Sequence, residues 1–162
     1  LRPDYAEAYK NRGDSYRHDH KYDLSIADYT QAIQLRPNFS DAYSGRAEAH
    51  KLKYNFDLAI ADMTKVIQLQ PKIGLYYYQR GRIYLKRAGG ELMTDYYGGK
   101  RPDMASVELA IADLTTAIQL RPDAVKFITR ARAYCLSNQK DLAAADEQKA
   151  TELGAEYLTK CK

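Results

Sequence analysis

Two of the three histidines, His18 and His20, flank Asp19, and all three side chains of this triplet are able to bind a metal ion. A structural zinc site needs four such ligands, and a catalytic zinc site needs three together with an open position. No further histidine, cysteine or carboxylate stands at a spacing that would complete the set. The triplet is therefore interpreted as a polar turn, and no metal site is predicted. The third histidine, His50, is expected to pack inside the fold.

Catalytic chemistry has no candidate in this sequence. There is no glycine-rich phosphate loop after a strand, and no serine or cysteine nucleophile in a recognisable context. The two cysteines, Cys135 and Cys161, are too few for a disulfide framework and are expected to be unpaired thiols. The sequence therefore predicts neither an enzyme nor a cofactor.

Composition is that of an ordinary folded protein, with 45% hydrophobic and 28% charged residues among 162. The formal net charge of +4 is mild and lacks the clustered basic excess of a nucleic-acid binder, so no nucleic-acid partner is expected. No apolar run approaches the length of a membrane span.

Each of four arginines is followed by an aspartate further along the chain. The separation is 16 residues in three cases and 33 residues, which is 16 plus 17, in the fourth. The planar guanidinium can hold a carboxylate with two parallel hydrogen bonds. Because partner-binding residues would vary from copy to copy, the recurrence predicts ion pairs that join two helices. The pairs are Arg12 with Asp28, Arg46 with Asp62, Arg80 with Asp113, and Arg130 with Asp146.

The helices that position these pairs are indicated by a sequence pattern that occurs three times, with a fourth, more divergent copy. The copies read YDLSIADYTQAIQLRP (22–37), FDLAIADMTKVIQLQP (56–71), VELAIADLTTAIQLRP (107–122) and KDLAAADEQKATELG (140–154). Their small and apolar residues recur at helical spacing, and the first three end at a proline, which cannot continue a helix. Tyr29 and its apolar equivalents are expected to pack on the following repeat. Glu147 at this position in the last copy predicts a wettable terminal face.

A second pattern precedes each of these lines. It reads YKNRGDSY (9–16), YSGRAEAH (43–50), YYQRGRIY (77–84) and FITRARAY (127–134), and it also has helical spacing. Its small residues would let the second helix of each pair approach closely. These are Gly13, Ala47, Gly81 and Ala131, facing Ser25, Ala59, Ala110 and Ala143 together with Ala32 and Ala117.

The two patterns together resemble the tetratricopeptide repeat, in the variety that reads YxxRG…AIADYxxAI. Pro3, Pro37 and Pro71 are 34 residues apart, which is the period of that family. The resemblance covers nearly the whole chain. It implies an all-α fold, a right-handed superhelical solenoid of antiparallel helix pairs with a concave groove lined by the first helices.

Four repeats are predicted within a single domain spanning residues 1–162. Their ranges are 6–39, 40–73, 74–123 and 124–154, followed by a tail at 155–162. Leu1-Arg2-Pro3 matches the repeat endings, so the sequence is expected to begin inside a preceding repeat, and no compartment is predicted.

The third repeat carries a 17-residue insert within 88–106, which contains two Gly-Gly pairs. Pro102 is expected in the first turn of the following helix. A loop of this length is either decorative or functional, and in the second case it would be a lid that contacts the partner through Tyr96 and Tyr97.

The resemblance places a binding groove on the first helices. Its floor would be polar in the first two repeats and apolar with arginines in the last two, which fits an apolar-acidic peptide against the C-terminal half. The residues assigned to the groove are Lys10, Asp14, Glu48, Tyr78, Gln79, Arg82, Lys86, Ile128 and Arg132.

One branch of the family clamps the EEVD tail of heat-shock chaperones with five residues. Lys10 matches the first of them, whereas an asparagine is replaced at Asp14 and at Gly45, a lysine at Leu75 and an arginine at Gln79. An EEVD-type partner is therefore not expected.

The sequence thus predicts a scaffold or adaptor that binds an extended or helical peptide of a partner protein in its groove. Two alternatives remain open. One is a regulatory or anchoring segment of a larger enzyme or of a secretion or assembly component, and the other is an array that associates with itself into a homo-oligomer.

Overall fold

The computed structural model describes residues 3–89 and 102–156. These residues form eight α-helices and no strand, which confirms the predicted all-α class. The helices are α1 (Pro3–His18), α2 (Tyr22–Leu35), α3 (Ser40–Leu52), α4 (Phe56–Leu69), α5 (Gly74–Arg87), α6 (Met104–Leu120), α7 (Ala124–Leu136) and α8 (Lys140–Glu152).

Consecutive helices pack as pairs: α1 with α2, α3 with α4, α5 with α6, and α7 with α8. The chain divides into two compact units, Leu1–Pro71 (unit 1) and Lys72–Lys162 (unit 2). Within unit 1, α2 and α1 also pack against α3, and within unit 2, α6 and α5 pack against α7 in the same way. Within each unit, the second helix of the first pair therefore covers the first helix of the second pair.

Small residues lie where the helices of a pair cross, as predicted. Ser25 is fully buried, and its hydroxyl donates a hydrogen bond of 2.8 Å to the carbonyl oxygen of Gly13. A Cβ atom added at Gly81 would lie 3.1 Å from Cγ of Leu114 and 3.3 Å from the carbonyl oxygen of Ala110. A larger side chain at these positions would push the helices apart.

The four predicted arginine–aspartate pairs are confirmed, and each is bidentate. In every pair Nε donates to Oδ2 and Nη2 donates to Oδ1, with distances between 2.6 and 2.9 Å. The aspartates are buried, with 4–6% of each residue exposed. The hydrogen bond to Asp62 raises the pKa of Arg46 despite burial, so the guanidinium keeps its positive charge.

The first helices end in turns that need a left-handed residue. His20, Tyr54 and Asn138 occupy this position with φ of 59°, 61° and 58°. Each turn is closed by a backbone hydrogen bond across the helix end, for example from Lys21 N to Tyr16 O at 2.8 Å. The His-Asp-His triplet lies in the first of these turns, where Nδ1 of His20 is 2.9 Å from the hydroxyl of Tyr22.

One prediction about the insert is wrong. Helix α6 begins at Met104, so Pro102 precedes the helix instead of entering its first turn. The reason lies in Ser106, which is fully buried: its hydroxyl donates to the Asp103 carboxylate and accepts a 2.8 Å hydrogen bond from Nε of Arg87. These contacts fix the N-cap at Asp103, so the helix begins two residues before Ser106. Tyr96 and Tyr97, the predicted lid contacts, lie outside the described residues.

Cys135 is disulfide-bonded, so the expectation of an unpaired thiol at this position is wrong. Sequence spacing does not reveal which distant segments meet in space, and Cys161 lies outside the described residues. Among the described helices, none has the length and apolar character needed to cross a membrane.

Candidate functional site

The predicted groove residues all lie on the first helices of the pairs, and they fall into two sets. Lys10 and Asp14 on α1 and Glu48 on α3 belong to unit 1. Unit 2 contains the others, which are Tyr78, Gln79, Arg82 and Lys86 on α5 and Ile128 and Arg132 on α7.

In unit 1 the polar set is built around Tyr29, which reaches from α2 between α1 and α3. Tyr29 is fully buried, and its ring lies against Gly13 and Gly45. A Cβ atom would be 3.0 Å from the ring at Gly13 and 2.5 Å from it at Gly45, so Gly45 has no room for a side chain. The hydroxyl donates a 2.6 Å hydrogen bond to Oδ1 of Asp14 and accepts one of 3.3 Å from Nε of Arg17.

The carboxylates of this set are neutralised within unit 1. Lys10 is 2.9 Å from Oδ2 of Asp14, and Lys51 is 2.7 Å from Glu48. Burial would raise the pKa of Asp14, but the hydrogen bonds from Tyr29 and Lys10 outweigh it and hold the pKa below its usual range. Burial and the bond to Asp14 raise the pKa of Tyr29 to about 12. A charged partner would have to compete with these existing contacts.

In unit 2, two matching stripes lie on the adjacent helices α5 and α7. Each stripe consists of an aliphatic residue, an aromatic or aliphatic residue one turn later, and an arginine after a further turn. They are Leu75, Tyr78 and Arg82 on α5, and Val125, Ile128 and Arg132 on α7. The leading aliphatic residues are 52% exposed at Leu75 and 58% exposed at Val125. The two arginines are also exposed.

Tyr78 connects this surface to the core of unit 2. Its ring packs against the buried cluster that contains Leu85 and Leu114, and the guanidinium of Arg82 lies 5.7 Å from the centre of the ring. This contact has the geometry of a cation–π interaction, which restricts both side chains. The stripe on α5 is thus held on a rigid base.

Two other groove positions, Gln79 and Lys86, are half-buried, as are Tyr78 and Ile128 of the stripes. Gln79 is half-buried, and its side-chain oxygen is buried without accepting a hydrogen bond from any described residue. Thr129 corresponds to Gln79 on α7 and is only 9% exposed, with its hydroxyl bonded to the carbonyl oxygen of Val125 at 2.7 Å. Lys86, in the last turn of α5, is half-buried.

Tyr29 was expected to pack on the following repeat, but the prediction did not include that its ring fills the space beside Gly45. A signal was present in the sequence. Gly45 and Gly13 are glycines on both sides of the only tyrosine in the column that otherwise holds Met63, Leu114 and Glu147. A tyrosine at this position together with glycines at 13 and 45 indicates that the glycines make room for the ring.

Helix pairs with small residues at the crossing and a repeated inter-helix ion pair define an all-α repeat protein. Residues 6–39 match the family model of the tetratricopeptide repeat. This chain therefore contains the tetratricopeptide repeat, and solved structures show that it has the solenoid fold of that family.

Three of these structures represent the similarity. MamA from Desulfovibrio magneticus RS-1 has a TM-score of 0.76 and 18% identity, over 93% of this chain and 76% of that one. The thermophilic protein TTC0263 of Thermus thermophilus has a TM-score of 0.67 and 17% identity, over 92% and 74%. The first tetratricopeptide domain of Spaghetti (RPAP3), bound to the HSP90 peptide SRMEEVD, has a TM-score of 0.61 and 18% identity, over 94% of both chains. No curated protein sequence matches the chain.

Proposed function

We propose that the protein is a protein-interaction scaffold and that the two stripes of unit 2 bind a peptide segment of its partner. The fold supports the coarser part of this proposal, since the neighbouring structure of RPAP3 holds a peptide. The observation that carries the finer part is the pair of matched stripes, because Leu75 and Val125 each expose more than half of an aliphatic side chain beside an arginine.

The chemistry of the stripes defines the partner segment. Exposed aliphatic side chains on adjacent helices favour a partner that buries leucine, isoleucine or phenylalanine against them. Arg82 and Arg132 add two cations whose planar groups suit carboxylates. We therefore expect a segment that combines large apolar residues with aspartate or glutamate. The stripes are carried by packed helices, so the surface is preorganised and little ordering free energy is lost on binding.

An EEVD tail is not the proposed ligand, even though RPAP3 holds such a peptide. Of the five positions considered, Lys10 is already paired with Asp14, and the space beside Gly45 is filled by the ring of Tyr29. Leu75 and Gln79 add no positive charge. The carboxylate clamp therefore lacks most of its donors here.

The proposal is tested with fluorescein-labelled peptides of twelve residues in which leucine or phenylalanine alternates with glutamate, measured by fluorescence anisotropy against the intact chain. A second set replaces glutamate with lysine. We expect saturable binding of the acidic set and at least tenfold weaker binding of the basic set, because the arginines repel the latter.

The variant Ile128→Asp, Arg132→Glu should lose most of this binding. Its matched control is Leu142→Asp, Lys149→Glu on α8, which makes the same change of charge at exposed positions away from the stripes. Circular dichroism checks that both variants keep their helices. Equal affinities of the two variants would contradict the proposal.

A further inference from the structure

The second helix of each pair exposes a leucine at one recurring position. In unit 2 these are Leu109 on α6 and Leu142 on α8, which are 45% and 47% exposed. An exposed carboxylate precedes each leucine, and an exposed alanine follows it three residues later, on the same side of the helix. We define the outer sets of unit 2 as Glu108, Leu109 and Ala112 on α6 and Asp141, Leu142 and Ala145 on α8.

The exposure of these leucines does not depend on where the repeat array begins or ends. Helix α6 packs against α7 of the next pair, and Leu109 is nevertheless exposed. In unit 1 the same position holds Leu24 on α2 and Leu58 on α4, which are 50% and 53% exposed. Packing between successive pairs therefore leaves this side of the second helices uncovered. A large apolar residue that recurs on an uncovered side indicates a contact outside the chain.

The carboxylates of the outer sets carry charge that the chain does not compensate. Among the described residues, neither Glu108 nor Asp141 has an ion-pair partner. The equivalent carboxylate on α2, that of Asp23, is bound by Lys53. Unit 2 thus presents two leucines, each beside a negative charge that no described cation neutralises.

The two stripes of unit 2 have the complementary chemistry. Leu75 and Val125 expose aliphatic side chains, and Arg82 and Arg132 are exposed cations on the same two helices. Leucine can pack on the aliphatic residues, and a carboxylate can accept hydrogen bonds from a guanidinium. Stripes and outer sets both occur once in each helix pair, so unit 2 has two of each. Because the outer sets are exposed in the folded chain, they do not contact the stripes of their own molecule.

We infer that the outer sets of unit 2 dock on the two stripes of a second copy of the chain. Leu109 and Leu142 then pack on the aliphatic residues of the stripes, and Glu108 and Asp141 pair with the arginines. The inference rests on the proposed function, because it takes the stripes as the binding surface and names a segment that they bind.

The geometry of such a contact determines the assembly. The two surfaces differ, so the contact is heterologous, and each bound copy still has one surface open to a further copy. The chain is therefore expected to form head-to-tail assemblies that grow with concentration. The contact is small and half of it is ionic, so a dissociation constant on the order of 100 μM is expected for each step.

The test is sedimentation velocity of the intact chain over concentrations that span this value. The stripe variant is Ile128→Asp, Arg132→Glu, and the outer-set variant is Glu108→Lys, Asp141→Lys. Each should associate at least tenfold more weakly than the parent, because one lacks the receiving surface and the other lacks the docking surface. An equimolar mixture of the two variants should form a dimer and nothing larger, since each retains the surface that the other has lost.

The matched control is Asp41→Lys, Asp57→Lys, which makes the same change of net charge at exposed positions of unit 1. It should associate as the parent does. Higher salt should weaken the assembly of the parent, because exposed ion pairs are screened. Circular dichroism checks that all three variants keep their helices.

The labelled acidic peptides separate this inference from the proposed function. The outer-set variant keeps its stripes and should bind these peptides at least as tightly as the parent. Peptide binding by a parent that stays monomeric would overturn the inference and leave the proposed function standing, whereas failure of the peptides to bind the outer-set variant would contradict the proposed function. Association of either variant at the strength of the parent, or a mixture that stays monomeric, would also overturn the inference.

Discussion

Tyr29 shows how one residue decides what a neighbouring position can do. The ring occupies the space beside Gly45, and its hydroxyl is bonded to Asp14. Two positions that sequence patterns place on a binding surface, Asp14 and Gly45, are thereby used in the interior contacts of unit 1. Unit 2 has Leu114 and Thr129 at the equivalents of Tyr29 and Gly45, so a shorter side chain there allows a larger neighbour.

This exchange of volume can be tested with Gly45→Ala. The added Cβ would lie 2.5 Å from the ring of Tyr29, and the ring can move only by giving up its bond to Asp14. We expect the free energy of unfolding to fall by about 1–3 kcal/mol, measured by urea denaturation. The double variant Gly45→Ala, Tyr29→Leu should lose less than the sum of the two single losses. Additive losses would show that the two residues do not compete for space.

The raised pKa of Tyr29 predicts a loss of stability at alkaline pH. An exposed tyrosine has a pKa of 10.0, and burial with the bond to Asp14 raises that of Tyr29 to about 12. Between these two values the unfolded chain loses a proton that the folded chain keeps, so the free energy of unfolding falls as pH rises. Below pH 10 the contribution is constant. Urea denaturation between pH 9 and 11 should show a steeper decline for the parent than for Tyr29→Phe, and equal slopes would contradict the assignment.

At the scale of the elements, the helices are joined by two repeated devices, the bidentate ion pair and the left-handed turn. The ion pair follows from an arginine and an aspartate that recur at one position in successive pairs, whereas the turn position holds different residues, His20, Tyr54 and Asn138. The pair between Arg130 and Asp146 is the least exposed of the four, with 15% and 6% of the two side chains accessible. A carboxylate buried to this degree is unfavourable unless a cation is paired with it.

Removal of the partner from this pair should therefore be costly. Arg130→Met keeps most of the side-chain volume but leaves Asp146 buried without its cation, and we expect a loss of about 2–4 kcal/mol in the free energy of unfolding. The double variant Arg130→Met, Asp146→Leu removes both charges and should recover part of that loss. A double variant that is less stable than Arg130→Met would contradict the buried-charge explanation.

The turn between α3 and α4 gives an independent test of backbone conformation. Tyr54 has φ of 61° and is 80% exposed, so its side chain contributes little packing beyond an edge contact with Phe56. Glycine adopts this conformation without strain, whereas alanine retains the Cβ atom that opposes it. Tyr54→Gly should be about 1 kcal/mol more stable than Tyr54→Ala, measured by urea denaturation, since both variants lose the same ring. Equal stability would mean that the turn relaxes to another conformation.

The helix pairs, their small crossing residues and the four ion pairs were predictable because each depends on spacing within a short stretch that recurs. Three features were not predictable: the contact of the Tyr29 ring with Gly45, the first residue of α6, and the disulfide bond of Cys135. They depend on which distant residues meet in space: Gly45 across a helix interface, Arg87 across the insert, and the cysteine that pairs with Cys135. Of the candidate site, the positions of Tyr78, Arg82, Ile128 and Arg132 on two adjacent helices were predictable, whereas the burial of Gln79 was not.

At the scale of the whole molecule, the stability of a repeat array is expected to be local, because each pair contacts only its neighbours. Leu114 is fully buried in the core cluster of unit 2, and Leu114→Ala should cost about 3 kcal/mol there. Amide hydrogen exchange followed by mass spectrometry should then show faster exchange in α5 to α8 and nearly unchanged exchange in α1 and α2. Tyr29→Ala provides the reciprocal experiment, with faster exchange in α1 to α3. Equal acceleration in all eight helices by either variant would show that the chain unfolds as one cooperative body, and the two units would then have no separate stability.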